Sequence, residues 1–285
     1  MTIRVGSPLS QFANKVGKVS PGNSSWERVF RTGIIKVGYA NERPFSYRDK
    51  TYGPITGESW EIGRVILEKM GVRQIEGIQT EFWSLIPKLL NRTYDMIAAG
   101  FYITPARFKE ITFSYPTYKN KESVVVKTGN PLGIRTFTDL IRHPFGRVAV
   151  VFGSVTASHI RMYNLPPSRI VQFADGASAV KGIRNGEADM FASSGISLND
   201  LVTRAGSAQL EIVQGFNGFV VNGQPMVDFG AFGFRKDDLE LRNQFNTHLK
   251  PFIGSEDHLS LVGPFGFTRE ELPGELPLSI IKMLE

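Results

Sequence analysis

An alternation of short apolar strands with amphipathic helices constrains this chain most, because it runs once through residues 34–100 and restarts after Pro131. Residues 34–40 form a β-branched apolar run, as a strand covered on both faces requires. Residues 26–30 read as a short helix ended by Gly33. Ile62, Val65, Ile66 and Met70 stand at helical spacing, with Gly71 as their stop. A further helix carries Leu85, Ile86, Leu89 and Leu90, with Pro87 tolerable only in its first turn, and residues 95–99 read as a buried strand stopped by Gly100. In the second series residues 147–152, 170–173 and 189–192 read as strands, with helices over 154–163 and 177–185. An extended segment at 124–127 and the Gly129-Asn130-Pro131 turn separate the two series. Residues 230–234 are extended again and lead into a helical stretch at 239–252. Two successive βαβ series predict an α/β protein of two lobes.

The length of 285 residues suits two such lobes. No stretch approaches the ~18–20 consecutive apolar residues of a helical membrane span. With no cysteine there is no disulfide, thiolate metal site or cysteine nucleophile. The net charge of +6 spreads 33 basic residues among 27 acidic ones with no basic run, so no nucleic-acid partner is expected. Residues 1–25 form a polar N-terminal extension without the apolar core of a secretory signal. Either the chain is not exported, or this is a mature form with a replacement start.

Ligands of open α/β sheets bind beyond the carboxyl ends of strands, where helix N-termini present free N–H groups. That rule selects residues 41–45, 100–107, 153–156 and 193–194, two segments per lobe, and places a ligand between the lobes. In Thr104-Pro105-Ala106-Arg107 the threonine is a good N-cap and the proline a good first residue. Arg107 therefore stands in a first turn, where a cation opposes the helix dipole and calls for an anion. That anion is either a ligand carboxylate gripped bidentately or a surface neighbour such as Glu110. Phe45, Phe82 and Phe101 recur at the same strand ends, with Glu42 beside the first. Together they read as a cage for a delocalised cation, or separately as ordinary core. The four histidines show no metal-ligand spacing and are expected mostly at the surface. No nucleophile elbow, P-loop or dinucleotide fingerprint occurs, so no catalytic residue, metal or cofactor is expected.

Several motifs in order resemble the solute-binding proteins of polar amino-acid ABC importers. They are the strand at 33–40, Tyr94-Asp95-Met96-Ile97-Ala98-Ala99-Gly100, the Thr104–Arg107 turn, Phe113-Ser114-Tyr115-Pro116, Gly153-Ser154 and Gly186-Glu187-Ala188-Asp189. The resemblance implies a two-lobe periplasmic-binding-protein fold of type II with two hinge strands, at about 124–128 and 227–230. Lobe 1 would span 26–126 and 230–285, and lobe 2 would span 128–226.

Asn41-Glu42, Thr80-Glu81-Phe82, Ser84-Leu85-Ile86-Pro87, Tyr102-Ile103-Thr104-Pro105, Asn199-Asp200-Leu201 and Gly263-Pro264-Phe265-Gly266-Phe267 are similar to the ectoine/hydroxyectoine-binding group within that family. By that resemblance Phe45, Phe82 and Phe101 would enclose a cyclic amidinium, Glu42 would accept its N–H groups and Arg107 would hold its carboxylate. Gly153, Ser154, Thr156 and Ser194 would line the other lobe. Ser194 stands where amino-acid binders usually place an aspartate for the α-ammonium, which favours a flat amidinium. Arg43, next to Glu42, is a candidate to neutralise it. The resemblance thus implies a periplasmic, monomeric binding component that closes on a small zwitterion and docks on an ABC permease, its signal peptide not present in this chain. The alternatives are a binder of an amino acid or opine, or a cyclohexadienyl-dehydratase-like enzyme on the same fold, for which Glu42 is the only acid–base candidate.

Overall fold

The computed structural model describes residues 24–48, 53–206, 208–221 and 223–284, so all but the last two residues of the polar N-terminal extension lie outside the described residues. The strands of lobe 1 that precede the first crossing are β1 (Ile34–Tyr39), β2 (Gln74–Gln79), β3 (Met96–Tyr102), β4 (Ile111–Phe113) and β5 (Tyr118–Asn120). Then follow β6 (Glu122–Lys127), β7 (Val148–Val151), β8 (Ile170–Phe173), β9 (Met190–Ser194), β10 (Leu210–Ile212), the small ribbon of β11 (Val220–Val221) and β12 (Gln224–Pro225), and finally β13 (Asp228–Arg235). The helices are α1 (Ser25–Thr32), α2 (Glu58–Lys69), α3 (Leu85–Leu90), α4 (Pro105–Glu110), α5 (Phe137–Arg142), α6 (Val155–Arg161), α7 (Gly176–Asn185), α8 (Gly195–Ala205), α9 (Leu239–Leu249), α10 (Glu256–Val262) and α11 (Leu278–Leu284).

One sheet has the order β2-β1-β3-β13-β4, with β5 also paired to β13; the other has the order β10-β6-β9-β7-β8. Within each, the strands joined through helices are parallel: β1 with β2 and β3, and β7 with β8 and β9. This is the pairing expected of βαβ units. Apolar layers cover both faces of both sheets. Met96, Phe232 and Phe234 pack with Phe245 of α9 on one face of the first sheet, and Ile97, Phe113 and Leu85 on the other. In the second sheet Val124, Val126, Val148 and Val150 face one layer, and Val125, Ala149, Val151 and Phe191 the other. None of the described helices is long and apolar enough to cross a membrane.

The pairing also locates the crossings between lobes. β5 belongs to the first sheet and β6 to the second, so the chain passes over at Lys121. It returns before Asp228, the first residue of β13. The segment 124–128, expected as a hinge, is instead mostly the body of β6. Its valines are fully buried between two apolar layers, a place for a core strand rather than a joint. The polar Asn120-Lys121-Glu122 step is where the sheet changes.

Gly100 also departs from expectation. It does not stop β3, which continues to Tyr102, and its φ of +58° accompanies a register shift opposite Ala231 and Gly233. A Cβ on Gly100 would lie 2.3 Å from the Phe45 ring, so the missing side chain is the seat for that ring. Gly100→Ala is expected to displace Phe45 and to destabilise by about 1–3 kcal/mol, through overpacking at a positive φ. Chemical denaturation would show it; an unchanged midpoint would mean that the ring is not held there.

Candidate functional site

The carboxyl ends of β1, β3, β7 and β9 converge between the lobes. The cavity there has an empty volume of about 480 Å³, with open solvent at its mouth included. It is lined from lobe 1 by Glu42, Phe45, Phe82, Gly100, Tyr102 and Arg107, and from lobe 2 by Val151, Ser154, Val155, Thr156, Ser193 and Ser194 among others. The lobes touch around it. Arg107 Nη2 donates to the Gly153 carbonyl at 3.3 Å, the Trp83 and Phe152 rings meet edge-on at 6.2 Å, and Arg43 Nε lies 3.4 Å from Asp200.

Arg107 is where the Thr-Pro turn places it, in the first turn of α4, its N–H donating to the Thr104 hydroxyl at 3.2 Å. The side chain is 8% exposed, donates from Nη1 to the Tyr102 carbonyl at 3.0 Å and stacks 3.7 Å from the Phe101 ring centre. Burial lowers its pKa to about 10, which leaves it a cation at neutral pH. Among the described residues no carboxylate lies within ion-pair distance of it, Glu110 included. The surface-pair alternative for Arg107 therefore falls.

Phe101 is not a cavity wall. It is 2% exposed and sits behind the guanidinium, beside Phe82 at 5.5 Å and Phe113 at 6.5 Å. Side chains alternate along a strand, so Gly100 and Tyr102 face the cavity and Phe101 turns away. Tyr102, which the sequence reading missed, takes the place assigned to Phe101. Gly153 does not line the cavity either. A Cβ there would meet Trp83 at 2.9 Å, so this glycine permits the close approach of the lobes.

Glu42 is held in a turn by the Ser46 carbonyl, which accepts its N–H at 3.0 Å. Its carboxyl is partly accessible by surface area but hemmed in by atoms of both lobes. Burial, then the like charge of Asp175, raises its pKa to about 8; a hydrogen bond from the Gly176 N–H opposes this and Asp200 adds to it. Arg43 turns toward Asp200 and lies 3.7 Å over the Tyr47 ring. On the other lobe, Ser154 caps α6 by accepting the Ala157 N–H, and Ser194 caps α8 by accepting the Ser197 N–H, both at 3.2 Å. Both helices thus present their N-terminal ends at the cavity.

Beneath the cavity lies a layer whose Asn120, Glu122 and Asp228 the sequence reading did not single out. Thr156 donates to Glu122 Oε1 at 2.7 Å, and the Tyr102 hydroxyl is bonded to Asn120 and Ser194. Burial raises Glu122 to about 8, with Asp228 adding to it, and raises Asp228 to about 7, against which Arg107 acts. His159 and His258 are buried rather than at the surface, and burial lowers both to about 4, so both are neutral at pH 7. His159 faces inward from α6 against the Phe219 ring, and His258 accepts the Gly254 N–H; helical phase, not composition, decides this.

Two α/β lobes of this topology, joined at two crossings and meeting over a cavity at their strand ends, define a ligand-clasping protein with the type II periplasmic-binding fold. The chain belongs to the bacterial extracellular solute-binding proteins, family 3, which it matches over residues 35–258. It is 30% identical over 253 residues to a "probable amino-acid ABC transporter periplasmic-binding protein" of Sinorhizobium fredii, covering 88% of this chain and 83% of that one. It is 28% identical to the L-arginine-binding protein of Pseudomonas aeruginosa, covering 75% and 80%. Among solved structures, EhuB in complex with hydroxyectoine superposes with a TM-score of 0.78 at 27% identity, covering 86% and 93%. The chain is accordingly a substrate-binding component of an amino-acid-type ABC importer.

Proposed function

We propose that this protein binds a small zwitterion of the ectoine type in the periplasm as a monomer, and presents it to its permease with the lobes closed. The observation that carries this reading is Arg107. A buried guanidinium with no carboxylate partner among the described residues faces a cavity that also holds Glu42. An anionic group beside Arg107 and a cationic one beside Glu42 would complete the two charges, and a zwitterion supplies both. Phe45, Phe82 and Tyr102 offer flat apolar faces to a ring whose charge is spread over its plane. Ser154, Thr156 and Ser194 supply hydroxyls from lobe 2, and closure would bury the ligand between both sets. The likeness to the hydroxyectoine complex supports the same ligand class.

A linear cationic amino acid is the second reading, favoured by the arginine-binding relative. The reading is of binding and not turnover. Neither Glu122 nor Asp228 lines the cavity, so an acid–base pair in contact with a ligand is not assembled there.

The test is a thermal-shift series with ectoine, hydroxyectoine, arginine, lysine, glutamine and glutamate, because a ligand that binds only the native state raises its apparent stability. At a ligand concentration near 100 Kd the gain is about 2.7 kcal/mol, several degrees for lobes of this size. The ectoines are expected to give the largest shift. If arginine gives it, the second reading replaces the first.

A further inference from the structure

We propose that Glu122, His159 and Asp228 form a binding site for one divalent metal ion of the zinc class, at the crossing between the lobes and beneath the ligand cavity. One ligand atom from each residue lies within 4.8 Å of the other two. All three side chains are more than nine-tenths buried, at 3%, 7% and 6% exposure. Each also carries a buried polar atom without a hydrogen-bond partner among the described residues: Glu122 Oε2, His159 Nδ1 and Asp228 Oδ2. Three orphaned buried polar atoms in one cluster are costly unless a single group satisfies all of them. A metal ion does so by accepting a lone pair from each.

The donor set is chemically apt. A neutral imidazole and two carboxylates suit a borderline cation such as Zn²⁺, whose bonds to nitrogen and oxygen run about 2.0–2.2 Å. Tetrahedral ligands at that length stand roughly 3.4 Å apart, so side-chain adjustments well short of refolding bring these three atoms into place. Glu122 is oriented by the Thr156 hydroxyl, the kind of outer partner that fixes a ligating carboxylate. A water molecule would complete the coordination.

The position gives the ion a mechanical role. Asp228 opens β13 of lobe 1, Glu122 opens β6 of lobe 2, and His159 lies on α6, whose first turn carries Thr156 into the cavity. An ion held by all three would tie the return crossing to lobe 2 directly under the bound solute.

The experiment uses the full chain, stripped with chelator and titrated with Zn²⁺ alone, with no organic ligand present, so its outcome is independent of the solute reading. Because the site is buried, uptake is also measured after refolding in Zn²⁺, and Co²⁺ is used as a spectroscopic substitute. The expected result is one equivalent bound at micromolar Kd or tighter, a rise in Tm, and visible Co²⁺ absorption of a low-coordinate N/O site. His159→Gln and Asp228→Asn should each weaken Zn²⁺ by more than the roughly 10–100-fold that loss of an outer partner costs. Thr156→Val should fall within that range. Failure of the folded wild type to take up one equivalent by either route overturns the proposal, and so does uptake that both ligand variants leave unchanged. If a variant does not fold, the Co²⁺ spectrum of the wild type decides.

Discussion

Arg107→Met is expected to weaken binding of any carboxylate ligand by about 2–5 kcal/mol, a fall of roughly 30- to 5,000-fold, while the ligand-free protein keeps its fold. The loss is that of stranding one half of a buried, hydrogen-bonded charge pair. The ligand anion would enter a cavity whose remaining donors are hydroxyls and helix N-termini. Folding survives for a separate reason. The guanidinium makes carbonyl contacts to Tyr102 and Gly153 and stacks on Phe101, but among the described residues no carboxylate depends on it as an ion-pair partner. Methionine fills the volume over the Phe101 ring and removes a buried cation. Arg107→Lys keeps the charge but not the planar fork, and falls between wild type and Met. Calorimetric titration with the best ligand of the thermal-shift series measures all three proteins. Near-native affinity in Arg107→Met would remove Arg107 as the anchor.

Arg107 was legible because three local rules converge on it: a capping threonine, a first-turn proline and the carboxyl-end position of the preceding strand. The strands and helices around it were legible for similar reasons. Residues 34–40 and 124–127 carry their own burial signature in β-branched runs, and Gly33 and Gly71 mark helix ends by their positive φ. What failed depends on relations between distant segments. Phe101 and Tyr102 are neighbours of similar character, and only the register of β3 against β13 decides which faces the cavity. The hinge assignment at 124–128 failed because an extended apolar segment reads alike as core strand and as connector until its partner is known; pairing with β9 settles it. Glu122, His159 and Asp228 lie far apart in the sequence and meet only when two crossings and the inner face of α6 are brought together. No spacing rule reaches such a cluster.

Glu42 sets the second large expectation, a pH-dependent closure. With the lobes in contact, its carboxyl is raised from 4.5 to about 8, first by burial and then by Asp175 and Asp200. The charge influences and part of the burial come with lobe 2: when the lobes part, Asp175, Gly176 and Asp200 withdraw and the value falls back toward the ordinary one. The closed form therefore binds the Glu42 proton more tightly than the open form. By linkage, ligand-free closure is favoured at acid pH and is lost as pH rises from about 4.5 to about 8, by up to about tenfold per pH unit for one proton. Above about 8 it should level off. A ligand cation beside Glu42 replaces that proton, so the liganded protein should stay closed across the range. Trp83 reports the motion, because it is half exposed and meets Phe152 and Gly153 across the cleft, whereas Trp60 is core. Glu42→Gln keeps the shape and removes the titration. Its ligand-free closure should lose the share of pH dependence that Glu42 contributes. It should also bind ectoine more weakly, since a neutral amide cannot balance an amidinium. Trp83 fluorescence and small-angle scattering from pH 5 to 9, on both proteins with and without ectoine, measure this. If wild type and Glu42→Gln close with the same pH dependence, Glu42 does not couple protons to closure, and its pairing with a ligand cation loses its support.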